Sequence, residues 1–127
     1  MPTSISRTYE FESAHFLPKV PDGHRCKNVH GHHYVIELTL FGVVGQDGFV
    51  LDFWDIDKVV EPLVKEVDHK LLNDIEGLEN PTAELIALWF FTALRDAIPF
   101  GTKLDSITVW ETPRCKATYK VPEVSGF

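Results

Sequence analysis

Polar and apolar residues alternate near the start of the chain: Tyr9, Phe11, Ser13 and His15 share one parity, while Arg7, Thr8, Glu10 and Glu12 break any helical stripe. The alternation predicts a strand from Ser6 to about Phe16. Residues 17–31 carry Pro18, Pro21, Gly23 and Gly31 and read as a loop, long for a small domain; loops of that length are usually functional or disordered. From His32 to Val44 the run HHYVIELTLFGVV is rich in β-branched and aromatic residues and predicts a second strand, closed by a turn at Gly45-Gln46-Asp47-Gly48.

The period then changes. Ile56, Val59, Val60, Leu63, Val64 and Val67 make the apolar stripe of a helix packed on one side, with Asp52 or Asp55 as its cap and Pro62 as a point of kinking or restart. A second helix is expected from Asn80-Pro81-Thr82, with proline at its first position and Asn or Thr as cap. Its residues Leu85, Ile86, Leu88, Trp89, Phe90, Ala93 and Leu94 leave little polar face. DSITVWET, residues 105–112, reads as a strand with Ile107, Val109 and Glu111 on one face, and residues 117–121 as a short last strand. The order β-β-α-α-β-β predicts an α+β fold, an antiparallel sheet with two helices on one face. With no repeat or linker, residues 1–127 are expected to form one domain.

Composition narrows the function. Among 127 residues, 12 basic and 19 acidic side chains give a net charge of −7, which argues against a general nucleic-acid binder. Two cysteines, Cys26 and Cys115, do not make a disulfide framework and fit a reducing, cytoplasmic setting. No run approaches a membrane span or the apolar core of a signal peptide, so no membrane partner is expected.

Candidate chemistry gathers in HRCKNVHGHH, residues 24–33, which holds four of the six histidines. His30 and His32 are two apart at the mouth of a strand and share a face, and His15 meets them if the two strands pair. Three neutral imidazoles with one open position make a catalytic zinc set. Cys26 as a fourth ligand would instead close the site, and accidental clustering in a solvated loop is the plainer reading. His33 points to the other face, and His24 also stays out of the ligand shell. Cys26 lies near Lys19, Arg25 and Lys27, cations that lower a thiol pKa. Asp68-His69 follows the first helix and offers a carboxylate-held imidazole for proton exchange with that thiol, or merely a C-terminal turn. Cys115 reads as an ordinary small apolar residue. Glu111, among apolar strand residues, is either a salt-bridged residue of an edge strand or a carboxylate awaiting ligand donors.

Taken in order, Ala14-His15, Cys26-x-x-x-His30-Gly31-His32, Asp68-His69, Asn80-Pro81-Thr82-x-Glu84 and Glu111-Thr112 resemble the 6-pyruvoyl-tetrahydropterin synthase / 6-carboxy-tetrahydropterin synthase family, over about residues 5–120. The resemblance implies a tunnelling-fold (T-fold) subunit whose strands join those of other copies into a barrel, a homo-oligomer, expected as a hexamer built from two trimers, with active sites at subunit interfaces. It implies zinc on His15, His30 and His32, a catalytic set of Cys26, Asp68 and His69, and a pterin-anchoring Glu111. Thr82 and Glu84 match pocket-lining positions, although Glu84 also suits the first helical turn through the helix dipole. A pterin presents a ring N–H beside an exocyclic amine, two parallel donors that one carboxylate accepts together.

The substrate so implied is 7,8-dihydroneopterin triphosphate, whose side-chain hydroxyls zinc would hold while Cys26 and His69 move the neighbouring proton. No nicotinamide or flavin is needed, and no G-x-G-x-x-G is present. Lys19, Arg25 and Lys27 are candidate triphosphate contacts or plain loop charges. The compact motif and the Gly-Leu-Glu-Asn-Pro-Thr run look more like the carboxy enzyme of the queuosine (7-deazaguanine) pathway, which releases acetaldehyde, than the pyruvoyl enzyme. A third branch, tied to folate synthesis, carries glutamate in place of Cys26. From another class, a non-catalytic zinc-stabilised assembly module would have a closed metal site and no use for Cys26.

Overall fold

A computed structural model describes residues 2–99 and 101–122. Strands β1 (Pro2–His15) and β2 (His30–Val43) pair antiparallel over their full length, from Pro2 opposite Val43 to His15 opposite His30. Helices α1 (Phe53–Val67) and α2 (Ala83–Leu94) follow, then strands β3 (Thr102–Thr112) and β4 (Cys115–Lys120). The sheet is antiparallel throughout in the order β1-β2-β3-β4, and both helices pack on one face of it. Element order and fold class are those expected; β1 begins four residues earlier, and β2 begins at His30 rather than His32. The early start of β2 puts His30 inside the strand ladder, opposite His15.

Alternation decides which side chains meet. Tyr9, Phe11, Ser13 and His15 of β1 and Tyr34, Ile36, Leu38 and Leu40 of β2 are buried toward the helices. Phe11 stacks on Tyr34 with ring centroids 4.9 Å apart, and Phe90 of α2 closes on Phe11 at 6.0 Å. The apolar core therefore ends, toward His15, in a layer of histidines.

Asp52 caps α1, its carboxylate accepting from the Trp54 N–H at 2.9 Å, and Asp55 stands in the first turn. Pro62 does not end the helix: the proline and Lys58, whose carbonyl loses its donor, are both exposed, so the missing bond falls on the solvent side. Thr82 caps α2 by accepting from the Leu85 N–H at 3.2 Å. This corrects the expectation for Pro81, which lies one residue before the cap rather than at the first helical position. Cys115 is also corrected: it opens β4 in an exposed position, since β4 is an edge strand in a tight return from Thr112.

The chain after α1 turns back along the end of β1. Ser13 hydroxyl meets the Val67 carbonyl, the His69 N–H donates to the Glu12 carbonyl at 2.6 Å, and the Ala14 N–H donates to the Lys70 carbonyl at 2.9 Å. Asn73 completes the seam, accepting from the Phe16 N–H at 3.0 Å and donating to the Phe16 carbonyl at 2.8 Å. These bonds bring Asp68 and His69 beside the metal-site end of the sheet.

Candidate metal centre and its surroundings

His15, His30 and His32 come together at the end of β1 and the start of β2, each offering a ring nitrogen, with the three atoms within 4.8 Å of one another. The register explains the meeting: His15 faces His30 directly, Ser13 faces His32, and all three side chains stand on the helix side of the sheet. His15 is fully buried, and His30 and His32 are half-buried.

Two of the rings have fixed tautomers. Nδ1 of His15 lies 2.8 Å from the Pro81 carbonyl, and Nδ1 of His30 lies 2.7 Å from the Asn28 carbonyl. A carbonyl only accepts, so each neutral ring carries its hydrogen on Nδ1 and a lone pair on Nε2. The Nε2 atoms of His15 and His30 are nonetheless 3.0 Å apart. Two lone pairs at that distance repel unless a cation stands between them. Burial, the leading cause for both, lowers the pKa of His15 and of His32 and keeps them neutral, the form a metal needs. The residues present fit a divalent metal ion, and an all-imidazole set suits zinc.

Glu111 reaches this cluster from β3. Its Oε1 is 3.4 Å from Nε2 of His15 and 3.7 Å from Nε2 of His32. It is not a residue of an edge strand, because β3 lies between β2 and β4. Tyr34, fully buried, places its hydroxyl 3.1 Å from Nδ1 of His15, and its ring stands edge-on to His15 and His32. Sequence reasoning passed over Tyr34, although it shares the parity of His30 and His32. It also passed over the Pro81 and Asn28 carbonyls, which as backbone groups leave no side-chain signal.

Cys26 sits half-buried in a single 3-10 turn, Arg25–Lys27, where its N–H donates to Nδ1 of His24 at 3.0 Å and its carbonyl accepts from the Leu17 N–H at 2.8 Å. His24 is thereby a cap of this turn, and His33 on the opposite face lies between Glu10 at 3.1 Å and Glu12 at 3.3 Å. Lys27 is taken up by Asp22 at 2.7 Å and the Val20 carbonyl at 3.2 Å, while Lys19 and Arg25 are exposed.

Asp68 ends α1, and its Oδ1 accepts from the Glu12 N–H at 2.9 Å and lies 3.0 Å from Nδ1 of His69. The Glu12 N–H is the leading cause that holds the Asp68 carboxyl below its usual range, with the His69 bond adding to it. His69 has φ 56°, the left-handed region that a side chain enters only at a cost, and its side chain is 75% exposed. That backbone turns the imidazole out of the helix end into an open cleft of about 670 Å3 that His32, Gly31 and Ser13 also line. Within one chain this cleft joins His69 to His32 but not to His15 or His30, and Glu12 and His33 of the opposite sheet face also line it. Among the described residues no hydrogen bond joins Cys26 to Asp68 or His69. Thr82 spends its hydroxyl on capping α2, and Glu84 is exposed in the first turn.

Comparison with known proteins agrees with this geometry. The chain is 39% identical to a 6-carboxy-5,6,7,8-tetrahydropterin synthase of Synechocystis sp. over 127 residues, 95% of each chain. It is 38% identical to a dihydroneopterin monophosphate aldolase of Pyrococcus furiosus, over 80% of this chain and 82% of that one. The structure of 6-pyruvoyl tetrahydropterin synthase from Caenorhabditis elegans superposes with a TM-score of 0.87 at 29% identity, covering 96% of this chain and 97% of the other. The family model for 6-pyruvoyl tetrahydropterin synthase matches residues 4–122, so a chain whose paired strands gather three histidines at one sheet end belongs to that family.

Proposed function

We propose that the protein is a zinc-dependent 6-carboxy-tetrahydropterin synthase, a lyase that converts 7,8-dihydroneopterin triphosphate and water to 6-carboxy-tetrahydropterin, acetaldehyde and triphosphate. The observation that carries the reading is the imidazole cluster, in which the Nε2 atoms of His15 and His30 face each other at 3.0 Å with no hydrogen to share. Likeness to the Synechocystis synthase over 95% of both chains supports the carboxy product.

Zinc on His15, His30 and His32 would supply Lewis acidity, holding the substrate's side-chain hydroxyls and stabilising negative charge on their oxygens. Cys26, as thiolate, takes or returns the proton on the side-chain carbon, in exchange with the imidazole of His69. Asp68 holds that imidazole through Nδ1, leaving Nε2 to face the cleft. Glu111 accepts the pterin ring N–H and amine in bidentate fashion. Thr82 and Glu84 act at the margin of the pterin pocket, from the cap and first turn of α2. Elimination of triphosphate and internal redox then need no nicotinamide or flavin.

The chain works as one domain, residues 1–127, and assembles as a homo-oligomer, a hexamer of two trimers. Support comes from the sheet: among the described residues β1 and β4 are its outer strands, and the chain after α1 bonds along β1 from Glu12 to Ala14, so another copy can pair with β4 and with the earlier part of β1. Among the described residues no helix is long and apolar enough to cross a membrane. The cytoplasm is the proposed location, where the two free thiols, Cys26 and Cys115, stay reduced.

The Pyrococcus furiosus relative favours one further reading, aldol cleavage of a dihydroneopterin monophosphate. Mass-spectrometric product analysis of the zinc-loaded protein with the triphosphate and with the monophosphate separates these activities. A carboxylated tetrahydropterin with acetaldehyde from the triphosphate is the expected result. A pyruvoyl product without acetaldehyde makes it a 6-pyruvoyl-tetrahydropterin synthase, and cleavage of the monophosphate alone makes it an aldolase. Both substrates left intact by folded, metal-loaded protein would leave a zinc-stabilised assembly module.

A further inference from the structure

Residues 16–29 include no buried residue, and within 21–29 only Cys26 is withdrawn from solvent, so apolar packing does not order this segment. Hydrogen bonds do. The Leu17 N–H donates to the Cys26 carbonyl at 2.8 Å, and the Asn28 N–H donates to the Arg25 carbonyl at 3.2 Å. The first bond ties Cys26 to the chain just past His15; the second leads to Asn28, whose carbonyl lies 2.7 Å from Nδ1 of His30. One 3-10 turn, Arg25–Lys27, thus carries the thiol between two of the clustered histidines. A lone turn is an unfavourable nucleus and depends on what closes its ends. At its start the closure is a histidine. Nδ1 of His24 accepts from the Cys26 N–H at 3.0 Å, and among the described residues no other side chain accepts from a backbone N–H of residues 17–29. An amide N–H only donates, so Nδ1 of His24 bears the lone pair and Nε2 the hydrogen, the reverse of His15 and His30. Nδ1 stands two bonds from Cβ, as Oδ1 of asparagine does, and its bond to the second residue on is the one an Asx turn makes.

We propose that His24 is a positioning residue for Cys26, its ring standing in for an Asx cap and holding closed the turn on which the thiol acts. The inference rests on the reading of Cys26 as the proton-transferring thiolate and deepens it. Proton transfer requires the thiol within hydrogen-bond reach of the reacting group. A turn that frays for part of the time presents the thiol only for the remainder. Loss of the cap therefore lowers kcat and spares KM, because the substrate is held by groups outside the turn.

His24→Ala removes the acceptor, and His24→Asn restores one at the same reach. In zinc-loaded protein with the triphosphate substrate, His24→Ala should lose about fivefold in kcat, the population cost of a lost cap. KM, zinc content and melting temperature should stay at wild-type values, and His24→Asn should recover most of the rate. Alkylation by iodoacetamide reads the turn without turnover, followed at Cys26 by peptide mass so that the exposed Cys115 is counted separately. Fraying uncovers the half-buried thiol, so Cys26 should react severalfold faster in His24→Ala and near the wild-type rate in His24→Asn. Wild-type kcat and alkylation in His24→Ala overturn the inference, and so does an equal loss in both variants, since the acceptor is then not what matters. A fall of zinc content or melting temperature alongside kcat in His24→Ala also overturns it, making His24 a support of the fold. Cys26→Ala is the control: full turnover there removes the reading of Cys26 and this inference with it. Lost turnover there beside unaffected His24 variants removes this inference alone.

Discussion

Nδ1 of His15 donates to the carbonyl of Pro81 at 2.8 Å, a bond between the last residue of β1 and the residue before the cap of α2. Through it, the start of a helix sets the tautomer of a ring 66 positions earlier in the chain. Tyr34 hydroxyl shares the same nitrogen at 3.1 Å. Tyr34→Phe keeps the stacking on Phe11 and removes only that hydroxyl, leaving Pro81 to hold the tautomer. Zinc affinity is expected to fall about tenfold, the lower end of the effect of losing a residue that orients a ligand. Competition with a chelator measures it, and a fall of melting temperature in the metal-free protein would show that the hydroxyl acts on folding instead.

Cys26 lies in a loop, half-buried, and among the described residues its side chain makes no hydrogen bond to the core. Cys26→Ala should leave zinc content and melting temperature unchanged and lower kcat by about 10²–10⁴, the range for loss of a positioned proton-transfer group. Metal analysis beside the rate decides the matter. Loss of zinc and stability together would make Cys26 a fourth ligand of a closed site.

The left-handed φ of His69 separates backbone from chemistry. His69→Gly and His69→Ala both remove the imidazole, so both should lower kcat together. Only alanine bears the steric cost of that conformation, and His69→Ala should be less stable than His69→Gly by about 1 kcal/mol. Urea unfolding measures the difference. Asp68→Asn keeps the shape and an oxygen that can accept from the Glu12 N–H but removes the charge beside His69, and should lower kcat with metal content intact.

Strand parity made much of this site legible in the sequence. His15, His30 and His32 share the face of Phe11 and Tyr34, and that alone puts three imidazoles at one sheet end once β1 and β2 pair. The position of Glu111 was legible less fully: its parity with Ile107 and Val109 gives its face, but only the sheet order sets it against His15. What escaped was set by backbone. Pro81 and Asn28 act through carbonyls, and the seam from Val67 to Asn73 along β1 is a tertiary pairing of irregular chain. The displacement of Pro81 by one position has the same origin: Thr82 supplies the capping hydroxyl, which frees the Pro81 carbonyl for His15.

Acidity should act on the metal-free protein through His15 and His32. Burial, the leading cause for both, lowers their folded pKa, so the unfolded chain binds more protons below about pH 6.5. Stability is therefore full above that pH and falls as pH drops from it toward the folded values. His33 runs the other way: its bonds to Glu10 and then Glu12 raise its pKa, so its contribution is present below about pH 6.5 and is lost as pH rises through the raised value. His33→Gln should remove that alkaline loss and leave the acid loss, which denaturant midpoints across pH 5–8 would show. An acid loss unchanged in His15→Gln and His32→Gln would assign it to other groups.

Thr82 offers a choice between two roles that one pair of variants separates. Its hydroxyl accepts from the Leu85 N–H at 3.2 Å, and the adjacent Pro81 carbonyl holds His15. As a cap, Thr82→Ala should cost about 1 kcal/mol, and Thr82→Ser, which keeps the oxygen, should cost little. Loosening the start of α2 also loosens the Pro81 carbonyl, so zinc affinity should fall with stability in the alanine variant and recover in the serine variant. A pocket-lining threonine would behave differently. Its loss would raise the KM for the pterin substrate while the melting temperature and zinc affinity stayed at wild-type values, and measuring all three on both variants identifies which role the side chain serves.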